Sequence, residues 1–247
     1  MSVRSLRRGS IAASRVTALS YDAEVLADSP SGYWKLNETS GTNAADSSGN
    51  GRDGTYTGSY TLASAVGSRS AVDLTGGYVN VPDNAAFSAG AGASGLFTVE
   101  AWVRFDTLAA QMDIITKGAA SNYEFDFRLG DSVSDAIAGV TYTPAGGALM
   151  ATTQTAGQVA ATTDYHLVMT LDYAAKLLII YRNGTELVRD SASASPSEFS
   201  SDGTAALQIG RRADAGGTVL DGKIGCVAYY PTALSAARVL AHYTAGL

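Results

Sequence analysis

The last forty residues constrain this chain more than any other stretch. Residues 206–210 alternate as a short strand, a Gly/Ala/Asp-rich loop follows, and residues 220–230 form a second strand. The sequence then runs through Pro231-Thr232-Ala233-Leu234-Ser235 into a short helical stretch that ends near Tyr243. Ser235 stands where a helix N-cap is wanted, ahead of Val239, Leu240 and Tyr243 on one helical face. A single capped helix after two strands is an unusual close, and it gains meaning because the rest of the chain reads as strand.

Residues 97–105 alternate strictly, with Phe97, Val99, Ala101, Val103 and Phe105 on one face. Residues 123–129 repeat the pattern, Tyr123, Phe125, Phe127 and Leu129 inward and Glu124, Asp126 and Arg128 outward as an exposed ion-pair strip. Three more strands fall at 165–171, 177–182 and 186–189, and Asn183-Gly184 between the last two suits a type I′ hairpin turn. Residues 32–37 place Tyr33 and Lys35 on one face and Trp34 and Leu36 on the other. Residues 71–74 and 78–81 flank Gly76-Gly77 and read as another hairpin. Between these, 39–58 have the Gly/Ser/Asn/Asp composition of a long surface loop, and 143–163 fit a strand pair or a loose loop. Residues 21–28 make one or two helical turns, ended by Ser29-Pro30. Short strands separated by turn residues predict an all-β fold, a two-sheet antiparallel sandwich with a short C-terminal helix docked on it.

Charge divides the chain. Residues 1–20 hold Arg4, Arg7, Arg8 and Arg15 and no acid, so the remainder carries −10 against −6 overall. Residues 1–22 are expected to be an extended basic arm and residues 23–247 one domain. The acidic body should repel nucleic acid. The arm suits an acidic protein surface, the alternative being a solvated tail. No apolar run approaches 18 residues, so no membrane span is expected. Ile11-Ala12-Ala13 is broken by Ser14-Arg15, which argues against a secretory signal. A lone Cys226 excludes an intrachain disulfide.

Several stretches resemble the laminin G-like, concanavalin A-like jelly-roll domains, in the family's order. Tyr33-Trp34-Lys35-Leu36-Asn37-Glu38 is similar to the family's opening, and Asp46-Ser47-Ser48-Gly49-Asn50-Gly51-Arg52-Asp53-Gly54-Thr55 to its Gly-rich loop. Phe97-Thr98-Val99-Glu100-Ala101-Trp102-Val103, Tyr165-His166-Leu167-Val168-Met169-Thr170-Leu171-Asp172 and Tyr181-Arg182-Asn183-Gly184 resemble three of its strands and a turn, and the closing strand–strand–helix matches its end. The resemblance covers about 32–245 and implies a jelly-roll sandwich. Such domains serve as lectins, glycanases, adhesion modules and virion proteins, so function must be read from the site. Residues 21–38 further resemble the first segment of such domains in tailed-phage structural proteins. That implies a non-enzymatic decoration or minor tail protein of a virion, assembled in the host cytoplasm, exposed on the particle surface and oligomeric there. Arg4, Arg7, Arg8 and Arg15 would anchor it to capsid or tail proteins, and its loops would meet a glycan or host surface. The alternatives are a free carbohydrate-binding module of a bacterial protein and a glycanase of atypical site.

No catalytic constellation emerges. A retaining glycanase needs two carboxyl groups about 5–5.5 Å apart; Glu124 and Asp126 share a face, but the next outward residue is Arg128. His166 and His242 read as structural, and no Cys/His zinc spacing occurs. Asp46, Asn50 and Asp53 offer oxygens for Ca2+ in a flexible loop, the alternative being an Asx-turn loop. In related domains such a loop can share a cation with an acidic pair on the closing strand. Gly225 and Cys226 stand there instead, with Asp221 as a substitute ligand. For a glycan, Tyr56, Tyr60 and Tyr142 are the candidate stacking rings, all expected in loops.

Overall fold

A computed structural model describes residues 19–88, 95–108, 111–119, 122–130, 133–143, 148–152, 155–191, 204–212 and 218–247. The chain opens with α1 (Tyr21–Ala27), then β1 (Gly32–Trp34), β2 (Asn43–Ala44), β3 (Gly54–Gly58), β4 (Thr61–Val66), β5 (Arg69–Asp73) and β6 (Gly77–Val81). The middle supplies β7 (Leu96–Phe105), β8 (Met112–Ala119), β9 (Asn122–Leu129), β10 (Ile137–Tyr142) and β11 (Ala148–Ala151). Then follow β12 (Asp164–Asp172), β13 (Leu177–Arg182), β14 (Thr185–Asp190), β15 (Leu207–Ile209), β16 (Gly222–Tyr230) and α2 (Ala236–Gly246). No helix among the described residues is long and apolar enough to cross a membrane.

Two antiparallel sheets stack face to face. The first runs β14-β13-β12-β7-β16-β5-β4, with β1 also on β16. The second runs β11-β10-β9-β8-β15-β6-β3-β2. The expected two-sheet sandwich with a C-terminal helix is what forms. Alternation decides the inner faces: Phe97, Val99, Ala101, Val103 and Phe105 of β7 meet Phe125, Phe127 and Leu129 of β9 in one core. Phe97 packs on Phe125 at 4.7 Å between ring centroids and stacks on Tyr229 of β16 at 5.8 Å. Trp34 joins the same core and donates Nε1–H to Arg52 O at 2.9 Å, so burial leaves its polar edge satisfied.

The outer face of the first sheet is covered by the two helices. Tyr21 and Val25 of α1 and Val239 of α2 pack with Tyr33, Trp102, Tyr181 and Tyr230 in a second apolar cluster. Ser20 caps α1 by accepting from Ala23 N, and Ser235 caps α2 by accepting from Arg238 N. Beneath the helices lies a buried ionic chain. Glu100 of β7 is fully buried and meets His166 Nε2 at 3.1 Å and His242 Nδ1 at 3.0 Å. His242 Nε2 meets Asp28 Oδ2 at 2.9 Å, and Arg238 Nε donates to the same oxygen at 2.8 Å.

Four expectations need correction. The domain starts before residue 23, because Tyr21 is fully buried in the helix cluster. Residues 39–58 are not one loop: β2 and β3 pair there, Asn43 opposite Thr55. Residues 71–74 and 78–81 do not make a hairpin. β5 pairs with β4 and β16 in the first sheet, whereas β6 pairs with β3 and β15 in the second. The Thr75–Gly77 turn therefore carries the chain across the sandwich, with Gly77 so close to Ser59 that a Cβ would lie 2.3 Å from its carbonyl oxygen. The fourth correction concerns β9 and belongs to the site. By contrast the Asn183-Gly184 hairpin forms as read, with φ of 52° and 76°.

Candidate functional site

Among the described residues, no helix covers the outer face of the second sheet. Its residues follow from register. Leu207 and Ile209 of β15 lie in the core, so Gln208 between them points away from it. Gln208 pairs with Thr116 of β8 on one side and Asn80 of β6 on the other, and Thr116 pairs with Asp126 of β9. Asp126, Thr116, Gln208 and Asn80 thus form one cross-strand row, each step about 4.8 Å. A polar row about 14 Å long crosses this face.

Glu124, Asp126 and Arg128 point outward as expected, but they are not an exposed strip. Glu124 and Asp126 are fully buried and Arg128 is nearly so. Arg128 Nη1 pairs with Asp126 Oδ2 and also donates to Tyr142 Oη at 3.2 Å. Arg212 Nη1 lies 3.9 Å from the same carboxylate oxygen. Tyr123 also departs from the alternation. It belongs to neither apolar cluster and lies against Tyr142, ring centroids 5.5 Å apart, with the Arg212 guanidinium 5.4 Å from its own. A register shift between Lys117 and Gly118 in the β8–β9 pairing lets it leave the core face.

Asp113 of β8 joins this group. It is fully buried, accepts from Gln111 Nε2 at 3.2 Å and from Thr218 Oγ1, and shares a hydrogen bond with Asp126. Burial and the neighbouring Asp126 push its carboxyl up to about 8, so it is mostly protonated at neutral pH. For Arg128 the Asp126 charge outweighs the burial penalty and holds the guanidinium above its usual range. Burial, then Asp126, pushes the Tyr142 hydroxyl up to about 12.

Across the row, Gln208 Nε2 donates to Asn80 Oδ1 at 3.1 Å, while Gln208 Oε1 is buried with no hydrogen-bond partner. Arg211 lays its guanidinium over Tyr78 at 4.6 Å, and its Nε is likewise buried and without a partner. None of Asp113, Gln208, Arg211 and Arg212 was identifiable from sequence. Their partners come from four strands distant in the chain, and the only local signal was Gly210, whose φ of 82° turns the two arginines out of β15.

The residues expected to handle ligand lie elsewhere. Tyr56 is not in a loop: it sits in β3, faces the core, and donates Oη–H to Glu38 Oε2 at 2.6 Å. Tyr60 stacks on it at 5.0 Å and donates to Gly41 O at 3.1 Å. Only Tyr142 reaches the outer face of the second sheet, and from the end of β10 rather than a loop.

The candidate cation ligands do not converge. Asp46 Oδ1 accepts from Tyr33 N at 3.0 Å and Ser48 N at 2.9 Å, and Oδ2 from Arg52 N at 2.9 Å. These bonds outweigh the burial penalty and hold its carboxyl below the usual range. Asp53 accepts from Asp46 N at 2.8 Å and Asn43 Nδ2 at 3.1 Å, and Asn50 donates its amide to Pro30 O and Ser31 O. Asp221 accepts from Thr107 Oγ1 at 2.8 Å. It precedes β16, whereas Asp46 bridges Trp34, which pairs with Val227 six residues on, about 20 Å away. This donor set does not fit Ca2+, and the described residues hold no cluster of acids, histidines and cysteines suited to a metal. Gly225 cannot carry the missing acid, since a Cβ there would lie 2.3 Å from Ser70 O. Cys226 sits in a bulge at φ 52°, with burial pushing its thiol up to about 12. Arg4, Arg7, Arg8 and Arg15 lie outside the described residues.

Comparison with known proteins agrees with the fold. A family model described as concanavalin A-like lectin/glucanases superfamily matches residues 73–240. A search of curated protein sequences finds no match. Among solved structures, the binding domain of botulinum neurotoxin DC in complex with SialylT superposes with a TM-score of 0.63 at 13% identity, over 89% of this chain and 52% of that one. Domain 4 of the extracellular arabinanase AbnA from Geobacillus stearothermophilus, in complex with arabinotriose, gives 0.60 at 17% identity, over 87% of this chain and 98% of that one. Trypanosoma rangeli sialidase gives 0.59 at 16% identity, over 87% of this chain and 32% of that one. At these identities the likeness is one of fold, and the chain spans about half or less of the neurotoxin and sialidase chains.

Proposed function

We propose that this chain, which belongs to the concanavalin A-like lectin/glucanases superfamily, is a non-enzymatic binding module that takes a glycan across the outer face of its second sheet. The observation that carries the reading is the polar outer face of the second sheet, where the half-buried Tyr78, Asn80, Tyr142, Arg211 and Arg212 surround the row of Asp126, Thr116 and Gln208. Sugar hydroxyls both donate and accept, and the rings of Tyr78 and Tyr142 are partly open to them. Two proteins of similar fold, the arabinanase domain and the neurotoxin domain, are in complex with arabinotriose and SialylT respectively. The absence of catalysis is supported by the acids themselves. Asp126 is ion-paired with Arg128 and hydrogen-bonded to Asp113, closer than the about 5–5.5 Å that a retaining glycosidase requires. A glycan array probed with the full chain tests the proposal. Tyr78→Ala, which removes a half-buried ring from this face, should cost at least about tenfold in affinity while the chain still melts cooperatively; unchanged binding refutes the site.

The finer reading sets the module on a phage particle, held by residues 1–18 to capsid or tail proteins, with the domain exposed on the surface. Its support is the resemblance of residues 21–38 to tailed-phage structural proteins and the four arginines of the arm. Deletion of residues 1–18 followed by full incorporation into particles would sink the anchoring role.

A further inference from the structure

The large apolar side chains left exposed among the described residues are Leu19, Leu26, Leu240 and Leu247, and all of them lie in the two helices or next to them. The pattern of α2 explains the concentration. Its inward face carries the buried Val239, His242 and Gly246. Its outward face carries Ala237, Leu240, Ala241 and Thr244, with no charge among them. A helix laid on a sheet normally turns charged residues to water, so this outward face lacks its usual dress.

Those residues line a groove of about 380 Å³, together with Leu19 before α1 and Glu24 within it. Its two polar groups are engaged inside the protein. Thr244 Oγ1 donates to Leu240 O at 2.8 Å, and Glu24 Oε2 lies 2.7 Å from Arg238 Nη2. The seat therefore suits an aliphatic side chain and offers little to orient a polar ligand.

Size and charge narrow the occupant. The floor from Ala237 to Thr244 is about 10 Å long and about one helix wide. That is far below the roughly 800 Å² per partner that a stable interface between separate chains buries. A second copy would also bring its own net charge of −6 against this one. A tethered segment needs less contact, because its tether holds it at an effective concentration on the order of millimolar. Residues 1–18 are such a segment, and they join the domain at Leu19, which itself stands in the groove. They carry four arginines and no acid, against −10 for the remainder (−6 minus +4). An extended chain covers about 10 Å in about three residues, so the stretch just before Leu19 reaches the far end. Val16 is the branched aliphatic residue nearest to hand.

We propose that the groove between α1 and α2 seats the chain's own segment before Leu19, with Val16 filling it. The seat takes only the residues next to Leu19 and leaves the earlier ones for a partner. It is independent of the ligand face on the second sheet.

Limited trypsin digestion of the full chain tests the seat, because Arg15 adjoins Val16. Cleavage after Arg15 should be at least about tenfold slower than in a free peptide of residues 9–22, the protection that burial of one aliphatic side chain gives. Ala241→Glu puts a carboxylate into the groove, and Val16→Ser changes no residue of the described domain. Each should restore fast cleavage with the melting midpoint held, and Val16→Ser decides the matter if Ala241→Glu does not fold. Fast cleavage in the unaltered chain overturns the proposal, and so does slow cleavage that persists in Val16→Ser. Protection that fades on dilution places the segment on a second copy and overturns it as well.

Discussion

His242→Leu tests whether the helices are held by charge as well as by apolar contact. His242 is fully buried, and both of its ring nitrogens face carboxylate oxygens: Nδ1 lies 3.0 Å from Glu100 and Nε2 lies 2.9 Å from Asp28. Both nitrogens can donate only if the ring is an imidazolium. Burial alone would lower its pKa, but the Glu100 hydrogen bond and charge, then Asp28, outweigh that and raise it. Glu100 in turn is held well below the usual carboxylate range by His166 and His242, against the burial penalty. The groups around the ring are Glu100 of β7, His166 of β12, Tyr230 of β16, Tyr21 of α1, Asp28 after α1 and Arg238 of α2. Leucine keeps most of the bulk and removes the cation, leaving Glu100 charged and buried. Breaking a buried pair in this way costs about 3–5 kcal/mol, which lowers the melting midpoint of a chain this size by roughly 6–20 °C.

The pH dependence sharpens the test. His242 has a raised folded pKa, so its stabilisation is complete below the unfolded imidazole value and is lost as pH rises through the folded one. Wild-type stability should therefore fall from about pH 6.5 upward, and the variant should lack that component. Urea denaturation at several pH values between about 5 and 9 reads both effects. A loss below about 1 kcal/mol, or a variant with the wild-type slope above pH 6.5, refutes the imidazolium.

Asp113→Asn should remove a different slope. A carboxyl raised to about 8 stabilises the fold below its unfolded value and loses that contribution progressively as pH rises to 8. The amide variant should thus gain stability over wild type at pH 9 in chemical denaturation, and a loss there would count against the protonated pairing with Asp126. Asp46→Ala strips the acceptor from three backbone N–H groups and should cost about 2–3 kcal/mol. Because its folded pKa is lowered, the contribution disappears as pH falls, so wild type and variant should converge in acid when followed by circular dichroism. Gly225→Asp places a Cβ 2.3 Å from Ser70 O and should destabilise by about 1–3 kcal/mol or more, while 1 mM Ca2+ should not rescue it in a thermal melt.

What could be read from the chain follows from how far each signal reaches. Alternation in β7 and the Asn183-Gly184 turn are local, and both hold in the fold. Ser235 caps α2 for the same reason. Alternation also assigned Glu124, Asp126 and Arg128 to the outer face correctly. It could not tell whether that face is covered, because cover comes from Tyr142, Arg212 and Thr218 far along the chain. Tyr56 misled in the opposite way: its Gly/Thr surroundings are those of a loop, yet pairing with Val79 turns it into the core. The crossing at Thr75–Gly77 was hidden because a tight glycine turn looks alike whether its strands pair with each other or enter different sheets. The outer face of the second sheet had almost no local signature, since its row joins residues 126, 116, 208 and 80.

The helix cap has a geometric consequence for anything attached to this domain. Leu19 and Leu247 both sit beside α1 and α2, on the first sheet's side. The outer face of the second sheet lies on the opposite side, behind two sheets spaced about 10 Å apart. The molecule is a plate with both handles on its back. A support gripping either handle leaves the front clear, and two such plates mounted on one support can turn their fronts to the same target without their tethers crossing it.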